Sequence, residues 1–190
     1  MDYKLSISKD EINQLPPYRF KGTIVVIESE QDALDAVNTL KNEKILGFDT
    51  ETRAAFKKGE SYEVSLLQLA TKSHAYLFRL NKIKLIPELA DILSNPNIIK
   101  AGVAVRDDIK ALKKLYPFKE AQFVDLAEVA KQKKIENFGL RALTAIFLNK
   151  RLSKKEKISN WERKDLTPGQ INYAACDSDV GLQIYHAICD

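Results

Sequence analysis

The sequence is poor in the residues and runs that mark several protein classes. It has two cysteines, Cys176 and Cys189, which are too few for a disulfide framework and have no companions at metal-ligand spacing. No apolar run is long enough to span a bilayer, and residues 1–10 lack the apolar segment of a signal peptide. We therefore expect no membrane span, and the cytoplasm is the default location.

The residues that are present are typical of one globular domain. The chain has 190 residues, is 45% hydrophobic and 29% charged, and contains neither an internal repeat nor a linker. We therefore predict a single domain over residues 1–190. The formal net charge is +4, with lysine and arginine clustered over 131–134 and 150–157. Such runs are usually solvated, but beside a carboxylate-rich site they would suit a phosphate backbone.

Residues 45–51 carry two carboxylates, one residue apart, at the end of an apolar run. Side chains alternate along a strand, so Asp49 and Glu51 share a face with Gly47, which leaves space beside them. Two like charges side by side are costly unless something neutralises them, and hard cations such as Mg²⁺ prefer carboxylate oxygens. The alternative is a strand end with two solvated acids.

Hydrophobic periodicity predicts an α/β protein with a mixed sheet and helices packed on it. Strands are predicted over 23–27, 44–51, 64–70, 75–80, 98–105 and 123–124, and the second to the fourth should form a meander. Helices are predicted over 31–40, 87–93, 106–116, 126–131, 138–148 and 168–188. The last helix has the clearest start, with Thr167 at N-cap, Pro168 at N1 and Gln170 at N3.

Two more carboxylates are predicted to face inward near the acidic strand. Asp108 shares a helix face with Leu112, whereas Asp107 lies nearer the solvated lysines of that helix. Asp177 lies one turn after Tyr173 on an otherwise apolar face, where an acid needs a metal or a partner such as lysine. Four inward acids on three elements form the pattern of a two-metal phosphoryl-transfer site.

Three stretches resemble, in order, the motifs of the DEDD 3′–5′ exonucleases. Residues 48–51, Phe-Asp-Thr-Glu, resemble the first motif, and 102–108, with an acid six residues after the glycine, resemble the second. Residues 173–177, Tyr-x-x-x-Asp, resemble the third motif in its tyrosine form. The stretch 159–173 is similar to ribonuclease D and, more closely, to the Werner syndrome exonuclease domain. The resemblance covers about 24–188. The second motif departs from the family in two ways, since it has Ala104 where relatives often carry glycine and it offers two adjacent acids, Asp107 and Asp108, but neither departure removes a ligand.

The resemblance implies an RNase H-like fold and stepwise release of nucleoside 5′-monophosphates from a nucleic-acid 3′ end. It implies two divalent ions, Mg²⁺ or Mn²⁺, with Asp49, Glu51 and Asp177 holding the first. Asp49 would bridge to the second ion, which Asp108 would support, and Tyr173 would position the attacking water. Relatives often carry helicase or polymerase domains that this sequence lacks, so a separate helicase or polymerase partner is a further expectation.

The candidates for substrate contact are Thr50, Arg53, Leu66 and Gln68. Leu66 and Gln68 lie on the strand beside the acids and are expected to shape a pocket for the terminal nucleotide. Arg53 precedes Lys57 and Lys58 in the long connection 52–63, where the three cations either contact phosphates or are only solvated. Trp161 is expected to pack against the last helix rather than to stack on a base.

Two functions of other classes compete with a nuclease. The first is a catalytically silent module that holds nucleic-acid ends on the same fold, which would not need all five site residues. The second is a doubly wound nucleotide-binding protein, which predicts a glycine-rich loop after the first strand. Residues 49–52 contain no glycine, and this second hypothesis is set aside. The residues leave both DNA and RNA open as the bound strand.

Overall fold

A computed structural model describes residues 3–189, and a six-stranded mixed sheet is its central element. The strands are β1 (Thr23–Ile27), β2 (Ile45–Thr52), β3 (Val64–Ala70), β4 (His74–Phe78), β5 (Ile99–Gly102) and β6 (Phe123–Asp125). The helices are α1 (Lys9–Gln14), α2 (Glu30–Leu40), α3 (Leu80–Ile83), α4 (Pro87–Ser94), α5 (Arg106–Leu115), α6 (Leu126–Gln132), α7 (Leu140–Leu148) and α8 (Pro168–Cys189).

The strand order across the sheet is β1-β4-β3-β2-β5-β6. The β2–β3 and β3–β4 pairs are antiparallel, so the predicted meander is confirmed. The β1–β4, β2–β5 and β5–β6 pairs are parallel. The register between β2 and β3 shifts between Glu51 and Thr52, which ends the regular pairing at the acidic end of β2.

Each face of the sheet is covered by its own helices. One apolar cluster joins β2 and β3 to α2, α4 and α5, with Phe48, Leu67 and Leu112 fully or almost fully buried. On the opposite face, α8 packs with α6, α7 and the segment that contains Trp161. Among residues 3–189, no helix combines the length and the apolarity needed to cross a bilayer.

Helix α8 lies unusually close to the sheet because glycine stands at the contact points. A Cβ atom on Gly47 would collide with the backbone carbonyl of Ser178, and one on Gly181 would lie 2.9 Å from the carbonyl oxygen of Ala101. The space that Gly47 leaves beside the acids is therefore filled by α8.

The start of this helix is fixed by a reciprocal cap. The backbone amide of Gln170 donates to the Thr167 hydroxyl, and the backbone amide of Thr167 donates to Gln170 Oε1.

Several predicted boundaries were wrong. The strand predicted over 98–105 ends at Gly102, because Ala104 has a φ of 59° and cannot continue a strand. The strand predicted over 75–80 ends at Phe78, and Leu80 begins α3. Helix α1 was not predicted, although its reciprocal cap between Ser8 and Glu11 is readable in the sequence.

Candidate active site

The acidic end of β2 meets the middle of α8. Asp49, Glu51 and Asp177 each place a carboxylate oxygen so that the three oxygens lie within 4.8 Å of one another. Asp177 is buried, and the two acids of β2 are half-buried. Strand alternation sets the first two side chains on the α8 face, and the close approach at Gly47 brings the third to them. The arrangement is a group of oxygen ligands suited to a hard divalent cation.

These carboxylates carry a high electrostatic cost in the metal-free protein. Burial raises the pKa of Glu51 to about 10, and the charges of Asp49, Asp177 and Asp108 contribute to the rise. Burial also raises the pKa of Asp49, again with a contribution from Asp177 and Asp108. The pKa of Asp177 is raised to about 7 by burial, and hydrogen bonding to the Tyr173 hydroxyl opposes this rise. Divalent cations between these groups would remove the cost, so the donor set fits a metal.

Asp108 approaches the cluster from the other face of the sheet. It accepts a hydrogen bond from the hydroxyl of Thr50, whose side chain alternates away from Asp49 and Glu51. Asp108 is half-buried and lies outside the group of three oxygens, yet its charge raises the pKa of Asp49. Asp107 points to solvent, where its carboxylate lies 3.1 Å from the Lys110 ammonium.

The aromatic residues beside the site belong to one packed layer. Trp161 is fully buried, and its ring centroid lies 6.1 Å from that of Tyr173, so Trp161 packs against α8 as expected. Burial raises the pKa of the Tyr173 phenol, and the charges of Asp177 and Glu51 raise it further. The phenol therefore stays protonated at neutral pH and can donate a hydrogen bond toward the acids.

Two of the candidate substrate residues do not reach an open surface. Leu66 pairs with Glu51, and Gln68 pairs with Asp49, across the β2–β3 ladder, but both side chains are 0% exposed. The amide atoms of Gln68 have no hydrogen-bond partner among the described residues. Leu66 packs with Trp161 and with Ala174 of α8. That Leu66 and Gln68 shape the pocket for the terminal nucleotide stays a prediction.

The loop 53–63 remains irregular, as predicted, and Arg53 anchors its base. The guanidinium of Arg53 lies 3.2 Å from Glu162 Oε2 and 4.4 Å from the ring centroid of Tyr62. Lys57 is exposed beside Phe56, whose side chain is 78% exposed. Lys58 is exposed as well. Arg53 is therefore paired within the protein, whereas Lys57 and Lys58 are exposed to solvent.

No sequence pattern distinguishes Lys157 from the rest of its basic cluster, but the structure brings it near the acids. Its charge lowers the pKa of Glu51, and it lines a cavity together with Tyr173 and Asp177. A second cavity also reaches Tyr173 and Asp177 and is lined by Tyr18 and Arg19, which no sequence pattern had connected with the site. Only the tertiary fold shows which of the many lysines and arginines border the acids.

Comparison of the sequence with known proteins identifies relatives of this chain. A family model described as 3′-5′ exonuclease matches residues 24–190. The chain is 33% identical to the bifunctional 3′-5′ exonuclease/ATP-dependent helicase WRN of Mus musculus, in an alignment that covers 93% of this chain and 13% of that protein. It spans from 13% to 48% of the length of three curated relatives that it matches.

Solved structures share the fold. The Aedes aegypti Nibbler EXO domain superposes with a TM-score of 0.82 at 24% identity, with 90% of each chain covered. Escherichia coli RNase D superposes with a TM-score of 0.79 at 19% identity over 90% of this chain and 44% of that chain. The predicted RNase H-like mixed sheet flanked by helices is therefore confirmed.

Proposed function

Because this chain belongs to the 3′–5′ exonuclease family, we propose that it hydrolyses the last phosphodiester bond at a nucleic-acid 3′ end and releases nucleoside 5′-monophosphates one at a time. The observation that carries the proposal is the group of three carboxylates formed by Asp49, Glu51 and Asp177. Three acids with raised pKa values are costly for the fold, and this cost is understandable if the site serves metal-dependent chemistry.

Two divalent ions, Mg²⁺ or Mn²⁺, are the proposed cofactors. Asp49, Glu51 and Asp177 would hold the first ion, Asp49 would bridge to the second, and Asp108 would support the second directly or through water. When bound, such ions stabilise the charge that develops on the scissile phosphate and make water a stronger nucleophile. The hydrogen bond from Thr50 to Asp108 supports this role, because it orients that carboxylate toward the acidic end of β2.

Besides holding the metal ions, the chain is proposed to position the attacking water. In the proposed reaction, water attacks the phosphorus, the bond from phosphorus to the 3′ oxygen of the preceding nucleotide breaks, and that oxygen takes up a proton. Tyr173 keeps its proton at neutral pH, so its hydroxyl orients the water or the phosphate by hydrogen bonding and does not act as a base.

The test is a cleavage assay on single strands labelled at either end. We expect a 5′-labelled strand to shorten one nucleotide at a time in Mg²⁺ or Mn²⁺, and a 3′ label to leave with the first product. The Glu51→Gln variant should be inactive, and EDTA should abolish the reaction of the wild type. Shortening that retains the 3′ label would refute the proposed direction. DNA and RNA of the same sequence, in single- and double-stranded form, are compared in the same assay.

The alternative function is a catalytically silent module that holds nucleic-acid ends. It shares the fold and the acids with the nuclease, and it predicts strand binding without cleavage in either metal. Single-turnover assays with Mn²⁺ and excess protein distinguish the two functions, because a slow nuclease still yields product under these conditions.

A further inference from the structure

Two cavities open onto Tyr173 and Asp177, and they differ in charge. The first, which we name the α1 cavity, has a volume of about 420 Å³ and is lined by Lys9, Arg141, Lys154 and Lys157 in addition to Asp177. The second, which we name the arm cavity, has a volume of about 380 Å³ and is lined by Arg19 and Lys155, with Glu156 and Asp177 as acids. The α1 cavity therefore has four cations against one acid, whereas the arm cavity has two of each.

The lysines of the α1 cavity are available for an anionic ligand. Lys9, Lys154 and Lys157 are exposed, and none of them forms a salt bridge with any acid in the described part of the chain. Arg141 is half-buried and held in place, since its Nε donates to the carbonyl of Leu152 at 3.2 Å. One half-buried arginine and three exposed lysines therefore line this cavity, and Asp177 is the one acid among its lining residues.

The segment that contains Lys9 and α1 is hydrogen-bonded to the rest of the fold, although it precedes the residues that the family model matches. The amide of Ile7 donates to Asn137 Oδ1 at 2.8 Å, and the carbonyl of Leu5 accepts from the amide of Glu136 at 2.8 Å. On the other side of α1, the amide of Tyr18 donates to the carbonyl of Arg151 at 2.8 Å. Helix α1 thus bridges the segments that lead into α7 and out of it.

The excess of cations in the α1 cavity and its position beside the acids indicate which part of a nucleic-acid substrate it would bind. A strand whose 3′ end lies at the acids continues in the 5′ direction with one negative charge at each phosphate. It can leave the site through either cavity, and Coulomb attraction favours the cavity with the excess of cations. Contacts to phosphates are independent of base sequence, which suits an enzyme that removes successive nucleotides.

We propose that the α1 cavity is the path of the strand on the 5′ side of the scissile bond, and that Lys9 and Lys154 bind its phosphates. The proposal rests on the proposed function for the position of the 3′ end. It adds a substrate-binding role for the segment that precedes the family region, and it assigns no such role to the arm cavity.

The experiment compares two double variants with equal loss of charge. Lys9→Gln/Lys154→Gln changes the α1 cavity, and Arg19→Gln/Lys155→Gln changes the arm cavity, which borders the same Tyr173. Binding of a fluorescein-labelled 12-nucleotide single strand, as DNA and as RNA, is measured by anisotropy in Ca²⁺ at several salt concentrations. Cleavage of the same strands is measured in Mn²⁺.

We expect the α1-cavity variant to bind the strand roughly 3- to 30-fold more weakly at low salt, as two exposed ionic contacts would suggest. The slope of log affinity against log salt should fall by about 1.4, because each phosphate contact on a single strand contributes about 0.7. KM should rise by a similar factor with kcat little changed, and the arm-cavity variant should match the wild type.

The proposal is overturned if the arm-cavity variant loses affinity and the α1-cavity variant does not, because the strand then follows the other path. Equal losses in both variants would also overturn it, since they would reflect net charge alone, and so would a wild type that does not bind the strand. Binding that depends on the α1 cavity, without cleavage in Mn²⁺, would support the path and refute the nuclease function. Cleavage without dependence on the α1 cavity would do the reverse.

Discussion

Replacing Asp177 by asparagine should stabilise the metal-free protein. In the folded protein the pKa of Asp177 is raised from 3.8 to about 7, so the folded state binds the proton more tightly than the unfolded state. The free energy of unfolding therefore falls as the pH rises from about 3.8 to about 7, and the loss is complete above that window. At 1.36 kcal/mol for each tenfold change in proton affinity, the loss is about 4 kcal/mol.

Asparagine has nearly the same shape and no charge, so Asp177→Asn should recover most of this loss. We expect a gain of about 2–4 kcal/mol at pH 8 in EDTA, which corresponds to a rise in Tm of roughly 4–16 °C for a chain of this length. At pH 5 the gain should shrink to less than about 2 kcal/mol, since most of the titration window then lies above the pH. Thermal and urea unfolding in EDTA at both pH values measure the effect.

The matched control is Asp107→Asn, because the Asp107 side chain is 90% exposed and should change little. Addition of Mn²⁺ should reverse the order of stability, raising the Tm of the wild type above that of Asp177→Asn, because the variant has lost a ligand. If Asp177→Asn is no more stable than the wild type at pH 8 in EDTA, the acid cluster carries no electrostatic cost and the reasoning is refuted.

The other predictions concern activity and packing. Tyr173→Phe should lower kcat by on the order of 10²–10⁴ while Mn²⁺ affinity, measured by calorimetry, stays unchanged; turnover at the wild-type rate would make the tyrosine a packing residue. Asp108→Ala should abolish cleavage and Asp107→Ala should retain most of it, and the opposite result in the same assay would place the wrong acid of the pair at the site. Gly47→Ala should destabilise the fold by about 3 kcal/mol or more in urea unfolding, because the new methyl group collides with the backbone of Ser178; a fully stable variant would contradict the close approach of α8. Activity of the wild type should disappear in EDTA and return with Mg²⁺ or Mn²⁺, whereas Ca²⁺ should restore little; full activity after EDTA and desalting would exclude a metal requirement.

Local patterns were sufficient for most of the elements and for the side of each element on which an acid lies. Alternation along β2 places Asp49 and Glu51 together, and helical periodicity separates Asp108 from Asp107. These predictions succeed because the direction of a side chain within one strand or helix depends only on the backbone geometry of that element. The same reasoning failed after Gly102, where the positive φ of Ala104 ends the strand without a glycine or proline at that position.

The contacts between helices and strands, by contrast, follow from the packing of the whole chain. Which acids face inward and how the last helix begins follow from local sequence, because both depend on residues within a few positions of each other. Only the fold could decide that α8 fills the space beside Gly47, that Asp108 reaches the site from the opposite face, and that α1 forms a wall next to the acids. These facts depend on contacts between residues far apart in the chain, which shape and packing specify and periodicity does not.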